Sequence, residues 1–333
     1  MSLLTNMAFS VGLGVLGTAG AALGLIAFDR PAVDLRAGPG GGLDFTVAQA
    51  SAARPPALQS YSARDGTALG FRRWDSGVAD VPLVVAVHGS GWHGAQFAGL
   101  GLALAQAGLA DVVAPDLRGH GPAPQRRGDV DYIGQFEDDL ADLIVSQARP
   151  GQQVVLLGHS SGGGLVIRYA GGQHGATLAG AVLLAPFVQH DAPTARPDAG
   201  GWARVLTRRV IGLAILNAVG VRALNHLPVI QFRFPASVLD GPLGGTATRA
   251  YSYRLNTGFA PRRDWGRDVA ALPPYLLVAG ARDEAFVTDA YAPALAPHNP
   301  GGTFVVLDGV GHLGVVDAPA TFDALRGYLE TLG

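Results

Sequence analysis

The residue of this chain best placed to attack a carbonyl is the serine of Gly158-His159-Ser160-Ser161-Gly162. A short apolar run, Val154-Val155-Leu156-Leu157, leads into it, and Gly163 and Gly164 follow. That pattern predicts a sharp strand-to-helix turn that pushes the serine hydroxyl out over the end of a sheet. Backbones nearly touch two residues to either side of such a serine, so glycine suits those positions. A serine hydroxyl is a weak nucleophile until a base takes its proton and a third group orients the base. Candidates for both lie downstream. The run Tyr275-Leu276-Leu277-Val278-Ala279-Gly280 leads to Asp283 and Glu284, and Thr303-Phe304-Val305-Val306-Leu307 leads to Asp308 and then Gly311-His312. Upstream, Leu83-Val84-Val85-Ala86-Val87 runs into His88-Gly89-Ser90-Gly91, which offers backbone N–H groups to a developing oxyanion.

We read Ser160 as the nucleophile, His312 as the base and Asp283 as the carboxylate that orients it, with Glu284 adjacent and Asp308 more distant as competitors. His312 Nε2 would take the serine proton and return it to the leaving group. The oxyanion donors are expected to be the N–H groups of Ser161 and Ser90, with Gly91 as a substitute for the latter. His88 and His120 are expected to tie loops together. Trp92 and His93 could line the pocket or merely pack, and Asp116, Arg118 and His159 would play at most supporting roles.

Each of Ser160, Asp283 and His312 follows the C-terminal end of a predicted strand, where catalytic groups of open α/β sheets collect. The hydrophobic pattern predicts an edge hairpin over 58–75, turning at Asp65-Gly66, and strands at 81–87, 111–115, 153–157, 179–184, 275–279 and 303–307. Helices are predicted near 94–107, 132–149, 161–170, 288–296 and 319–331. The 132–149 helix should carry Glu137, Asp138, Asp139 and Asp142 on its wet face. Strands alternating with helices imply the α/β class with a mostly parallel, doubly wound sheet.

The interval 187–267 breaks that rhythm and is too long for a plain connection. It is expected to be a cap insertion, with an apolar helical stretch from Trp202 to Val221. Val210, Leu213 and Leu216 are expected to influence which acyl chains the cap accepts. The interval holds eleven arginines against four aspartates and no glutamate, a net of +7, which leaves −9 for the rest of a chain whose total is −2. An apolar, basic lid would suit acyl chains and anionic lipid surfaces. The alternative is core packing with ordinary solvated arginines.

These blocks together resemble the α/β-hydrolase superfamily, and within it the monoacylglycerol lipase and lysophospholipase-like branch (serine aminopeptidase S33, hydrolase-4 type). The matching residues are His88-Gly89-Ser90-Gly91, Asp116-Leu117-Arg118-Gly119-His120-Gly121, Gly158-His159-Ser160-Ser161-Gly162-Gly163, the Asp283 segment and Gly311-His312, within about residues 59–333. Ser161 stands where many relatives carry a bulkier side chain. The resemblance implies an α/β-hydrolase fold with a helical cap, and hydrolysis of carboxylic esters, such as monoacylglycerol or lysophospholipid, through an acyl-enzyme with no metal or organic cofactor. General carboxylesterase, thioesterase or aminopeptidase activity would use the same triad. A membrane-tethered binding protein without turnover is the alternative of another class.

The chain has 333 residues, 48% of them hydrophobic, enough for one large α/β domain. Its small net charge gives no reason to expect nucleic acid as a partner. It has no cysteine, which excludes disulfides, thiolate metal sites and a cysteine nucleophile. Its basic residues are all arginine, which excludes lysine chemistry. No charged side chain precedes Asp29, and Phe9 to Phe28 is long and apolar enough to span a bilayer. Residues 1–28 are therefore expected to be a membrane anchor, with a cleaved signal or a soluble start as alternatives. The expected location is a bacterial-type inner membrane, on either side, or export. Residues 29–57 are expected to be a linker, and 58–333 the hydrolase domain with its cap.

Overall fold

The computed structural model describes residues 17–38, 42–46 and 53–332. An eight-stranded sheet is built from β1 (Gln59–Ser62), β2 (Ala68–Trp74), β3 (Leu83–Val87), β4 (Asp111–Pro115), β5 (Val154–His159), β6 (Gly180–Leu184), β10 (Tyr275–Gly280) and β11 (Gly302–Leu307). Its order is β1-β2-β4-β3-β5-β6-β10-β11. The first two strands form the predicted hairpin and β2 meets β4 antiparallel; the other pairs are parallel. Strands β3, β4, β5, β6 and β10 are buried along their whole length, as expected of runs covered by helices on both faces. The α/β-hydrolase class and the mostly parallel sheet follow the sequence reading.

The chain steps from β3 outward to β4, then crosses back to β5 on the other side of β3. That reversal opens a crevice at the C-terminal ends of β3 and β5, the place where ligands bind in such sheets. Val87 pairs with Gly158 at that edge, so the loops that follow the two strands start side by side.

One predicted face needs correcting. Glu137 and Asp139, expected on the wet side of helix Gln135–Gln147, are 6% and 3% exposed. Glu137 accepts from Arg168 and Arg262, each at 2.6 Å, and Asp139 accepts a two-pronged bond from Arg118 at 2.8 Å. Buried carboxylates survive only when paired like this, and no local pattern could supply partners so distant in sequence.

The insertion between β6 and β10 folds differently from the continuous helix expected over 202–221. A short strand, β7 (Ala203–Val205), comes first, and the helix spans Thr207–Ala218. With β8 (Pro228–Phe232) and β9 (Ala250–Ser252), β7 makes a three-stranded antiparallel sheet. Trp202 is drawn out of any helix by rings: it stacks on Phe232 at 5.4 Å and meets Phe234 edge-on at 4.7 Å.

The N-terminal region also departs from expectation. Residues 1–16 lie outside the described residues. Residues 17–28 form a helix. The expected transmembrane span is not supported: no helix among the described residues is long and apolar enough to cross a membrane. Instead Ala22 and Ile26 are buried against Leu213, Leu216 and Val229 of the cap, a second small core. Gly212 permits this approach, since a Cβ there would stand 2.6 Å from the Ala22 carbonyl oxygen. Asp29 then accepts from the Arg208 N–H at the start of the cap helix, a favourable place for a carboxylate. Leu213 and Leu216, expected to act on acyl chains, are occupied by this contact.

Candidate active site

Ser160 sits between β5 and helix Ser161–Ala170 with φ 55° and ψ −122°. A left-handed φ is strained for a residue with a Cβ, and such strain persists where the surroundings over-determine it. The glycines explain how. A Cβ on Gly158 would lie 2.3 Å from the Gly162 carbonyl oxygen, and one on Gly162 2.2 Å from that of Val87. The turn can therefore be this tight only with both glycines in place.

His312 and Asp283 meet on the adjoining loops. The His312 Nδ1–H donates to Asp283 Oδ2 at 2.8 Å, with both side chains buried. This fixes the tautomer and leaves Nε2 unprotonated. Burial works to raise the Asp283 pKa, but the attraction to the His312 ring when it is protonated and the hydrogen bond from that ring, with the N–H groups of Phe286 and Ala285, hold it below the ordinary value. Glu284 plays a different part: its carboxylate accepts the backbone N–H of His312 at 2.7 Å, and so holds the loop rather than the ring. Ser160 and His312 line the same cavity.

The loop after β3 lies against the serine turn, so close that a Cβ on Gly89 would stand 3.2 Å from Ser160 Cβ. The Ser90 and Ser161 hydroxyls lie 2.5 Å apart. Ser161 opens its helix, where N–H groups have no intrahelical partner. Gly91, weighed as a substitute donor, gives its N–H to the Tyr251 phenol at 2.5 Å.

Buried histidines brace these loops. His88 Nδ1–H donates to the Gly89 carbonyl, and its Nε2 accepts from the Leu117 N–H at 3.2 Å. His120 Nδ1–H donates to the Arg118 carbonyl, so its Nε2 accepts from the Tyr251 hydroxyl at 2.7 Å. His159 Nε2–H donates to the His312 carbonyl at 3.0 Å, while Nδ1 accepts from Gln96. Burial pushes His88 down to about 4 and His159 to about 3, so both rings are neutral at pH 7. Asp116 pairs with Arg72 at 2.6 Å and accepts the Gly94 N–H. Sequence reasoning missed Tyr251, a tyrosine in no motif, which the cap brings in from β9.

The cavity measures about 730 Å³. Besides Ser160 and His312 it is walled by Trp92, His93, Trp202, Phe234 and Val238, and also by Leu43 and Phe45 from the N-terminal region. His93 is buried, and its ring stacks on Trp92 at 5.1 Å. A smaller cavity of about 370 Å³ beside β1 and β2 is lined by none of the three candidate catalytic residues.

Residues 80–239 match the family described as serine aminopeptidase, S33. The chain is similar to the monoacylglycerol lipase of Mycolicibacterium smegmatis, 29% identical over 67% of this chain and 78% of that one. It is also similar to an uncharacterized protein of Mycobacterium tuberculosis, 27% identical over 83% of this chain and 82% of that one. Among solved structures, a soluble variant of monoglyceride lipase from Saccharomyces cerevisiae superimposes with a TM-score of 0.63 at 16% identity, over 84% of this chain and 97% of that one.

Proposed function

Because the chain belongs to the α/β-hydrolase superfamily, on the serine aminopeptidase S33 branch with the monoacylglycerol lipases, we propose that it hydrolyses carboxylic esters through an acyl-enzyme on Ser160. Lipid esters such as monoacylglycerol or lysophospholipid are the proposed substrates. The observation that carries this reading is the buried His312–Asp283 pair, with Nε2 free, on a cavity shared with a strained serine.

In the proposed cycle His312 Nε2 takes the Ser160 proton as the hydroxyl attacks the ester carbonyl. Asp283 stabilises the imidazolium that forms. The N–H groups of Ser161 and Ser90 receive the oxyanion. The proton then passes to the leaving alcohol, and a water activated by the same ring releases the acid. The apolar cavity favours acyl chains, each buried methylene contributing up to about 0.8 kcal/mol of binding. Membrane association through the upstream segment is part of the proposal, with the basic cap facing anionic lipid. General esterase, thioesterase or aminopeptidase activity remains the competing chemistry for the same residues.

The test is a fluorophosphonate probe together with a panel of p-nitrophenyl esters. The native chain should label and should prefer medium acyl chains to acetate; Ser160→Ala should neither label nor turn over. Labelling of the alanine variant would remove Ser160 from its role. An acetate-favouring profile would leave the chemistry but remove the lipid reading.

A further inference from the structure

The region between the N-terminal helix and β1 looks like a connector in sequence, rich in glycine, proline and alanine. Its described parts instead hold to the cap by specific bonds. Gln231 clasps the Ala32 backbone, accepting its N–H at 2.7 Å and donating to its carbonyl at 2.8 Å. Arg36 pairs with Asp240 at 3.2 Å, and Arg249 pairs with Asp34 at 2.7 Å. The Ala37 N–H donates to the Phe234 carbonyl at 3.1 Å. After these ties the chain delivers Phe45 into the site. Phe45 is 9% exposed and its ring lies 5.4 Å from Trp202, 5.5 Å from Phe234 and 6.5 Å from Trp92. All four rings line the cavity that holds Ser160 and His312.

From this we propose that the upstream chain is a strap completing the acyl pocket, and that Phe45 is a specificity-determining residue setting how large an acyl group fits. This rests on the ester-hydrolase reading above. A buried aromatic is a large, rigid wall; a smaller residue leaves a void that a longer chain can fill. Phe45 stands in the cavity wall among Trp92, Trp202 and Phe234, so its replacement should change selection among esters, read as the ratio of two substrates.

The experiment uses the full chain with Phe45→Ala, Phe45→Leu and Phe45→Trp, assayed on p-nitrophenyl butyrate and decanoate. The decanoate-to-butyrate ratio of kcat/KM should rise about fivefold or more in the alanine variant and less in the leucine variant, and should fall in the tryptophan variant. If the alanine variant does not fold, the leucine and tryptophan variants carry the same comparison. Unchanged ratios in an active enzyme would overturn the strap proposal and leave ester hydrolysis standing. If the native chain cleaves no ester, the function reading fails. The pocket claim is then read by Trp92 and Trp202 fluorescence, titrated with hexanoate and decanoate. A shifted ratio of the two dissociation constants in Phe45→Leu supports it, and an unchanged ratio overturns it.

Discussion

Two carboxylates follow β10, and they reach different atoms of His312. Asp283 bonds the ring; Glu284 bonds the backbone N–H. Asp283→Asn should lower turnover by about 10⁴-fold, because an amide cannot favour the required tautomer or the imidazolium. Glu284→Gln should cost far less, since an amide oxygen still accepts from an N–H. Turnover of the two purified variants on one ester decides this, and the reverse ranking would transfer the orienting role to Glu284. Ser160, Asp283 and His312 stand out in the sequence as candidates because each is punctuated by glycine or follows an apolar run. Tyr251 and Phe45 do not, because a single aromatic carries no spacing signal. Their neighbours, Gly91 and His120 for the one and Trp92 and Trp202 for the other, come together only in the folded chain.

At the level of elements, the strands of the large sheet and its mostly parallel character could be read from apolar runs of suitable length, while the order of those strands came only with the fold. The cap could not. Its residues are as apolar as a helix interior, but Trp202 and Val205 serve rings and strand pairing instead. The upstream segment was misleading for a related reason: its composition is that of a flexible connector, while its ties are made to Gln231, Phe234, Asp240 and Arg249, far away in sequence. A chain beginning at Ala57 should therefore melt at a lower temperature and bind more of a hydrophobic dye than the full chain, because Trp202, Phe234 and the Leu213–Leu216 face lose their cover. Circular dichroism and dye fluorescence measure this; equal melting temperatures would make the segment a passive connector.

Across the whole molecule, neutral buried histidines tie stability to pH. His88 and His93 are pushed down to about 4 and His159 to about 3, while an exposed histidine titrates near 6.5. The unfolded chain thus binds more protons than the native one between pH 6.5 and about 4, so stability should fall as pH drops through that window. Each such histidine contributes about 1.4 kcal/mol per pH unit. Urea midpoints measured from pH 7.5 to 5 should be level above 6.5 and fall steeply below it; a flat profile down to pH 5 would mean these rings are solvated in the native state.

The seam between cap and sheet has a consequence for timing. The Thr248 N–H donates to the Gly91 carbonyl at 2.8 Å, the Gly91 N–H donates to Tyr251, and the Phe234 ring covers Gly91, where a Cβ would come within 2.7 Å of it. The cap and the loop after β3 are stitched together at one glycine. A cap that swung away as a rigid body would break these bonds to the loop proposed to cradle the reacting oxygen, and they would have to re-form before the next cycle. On the proposed reading, a cap held to Gly91 keeps the loop beside Ser160 assembled from one cycle to the next.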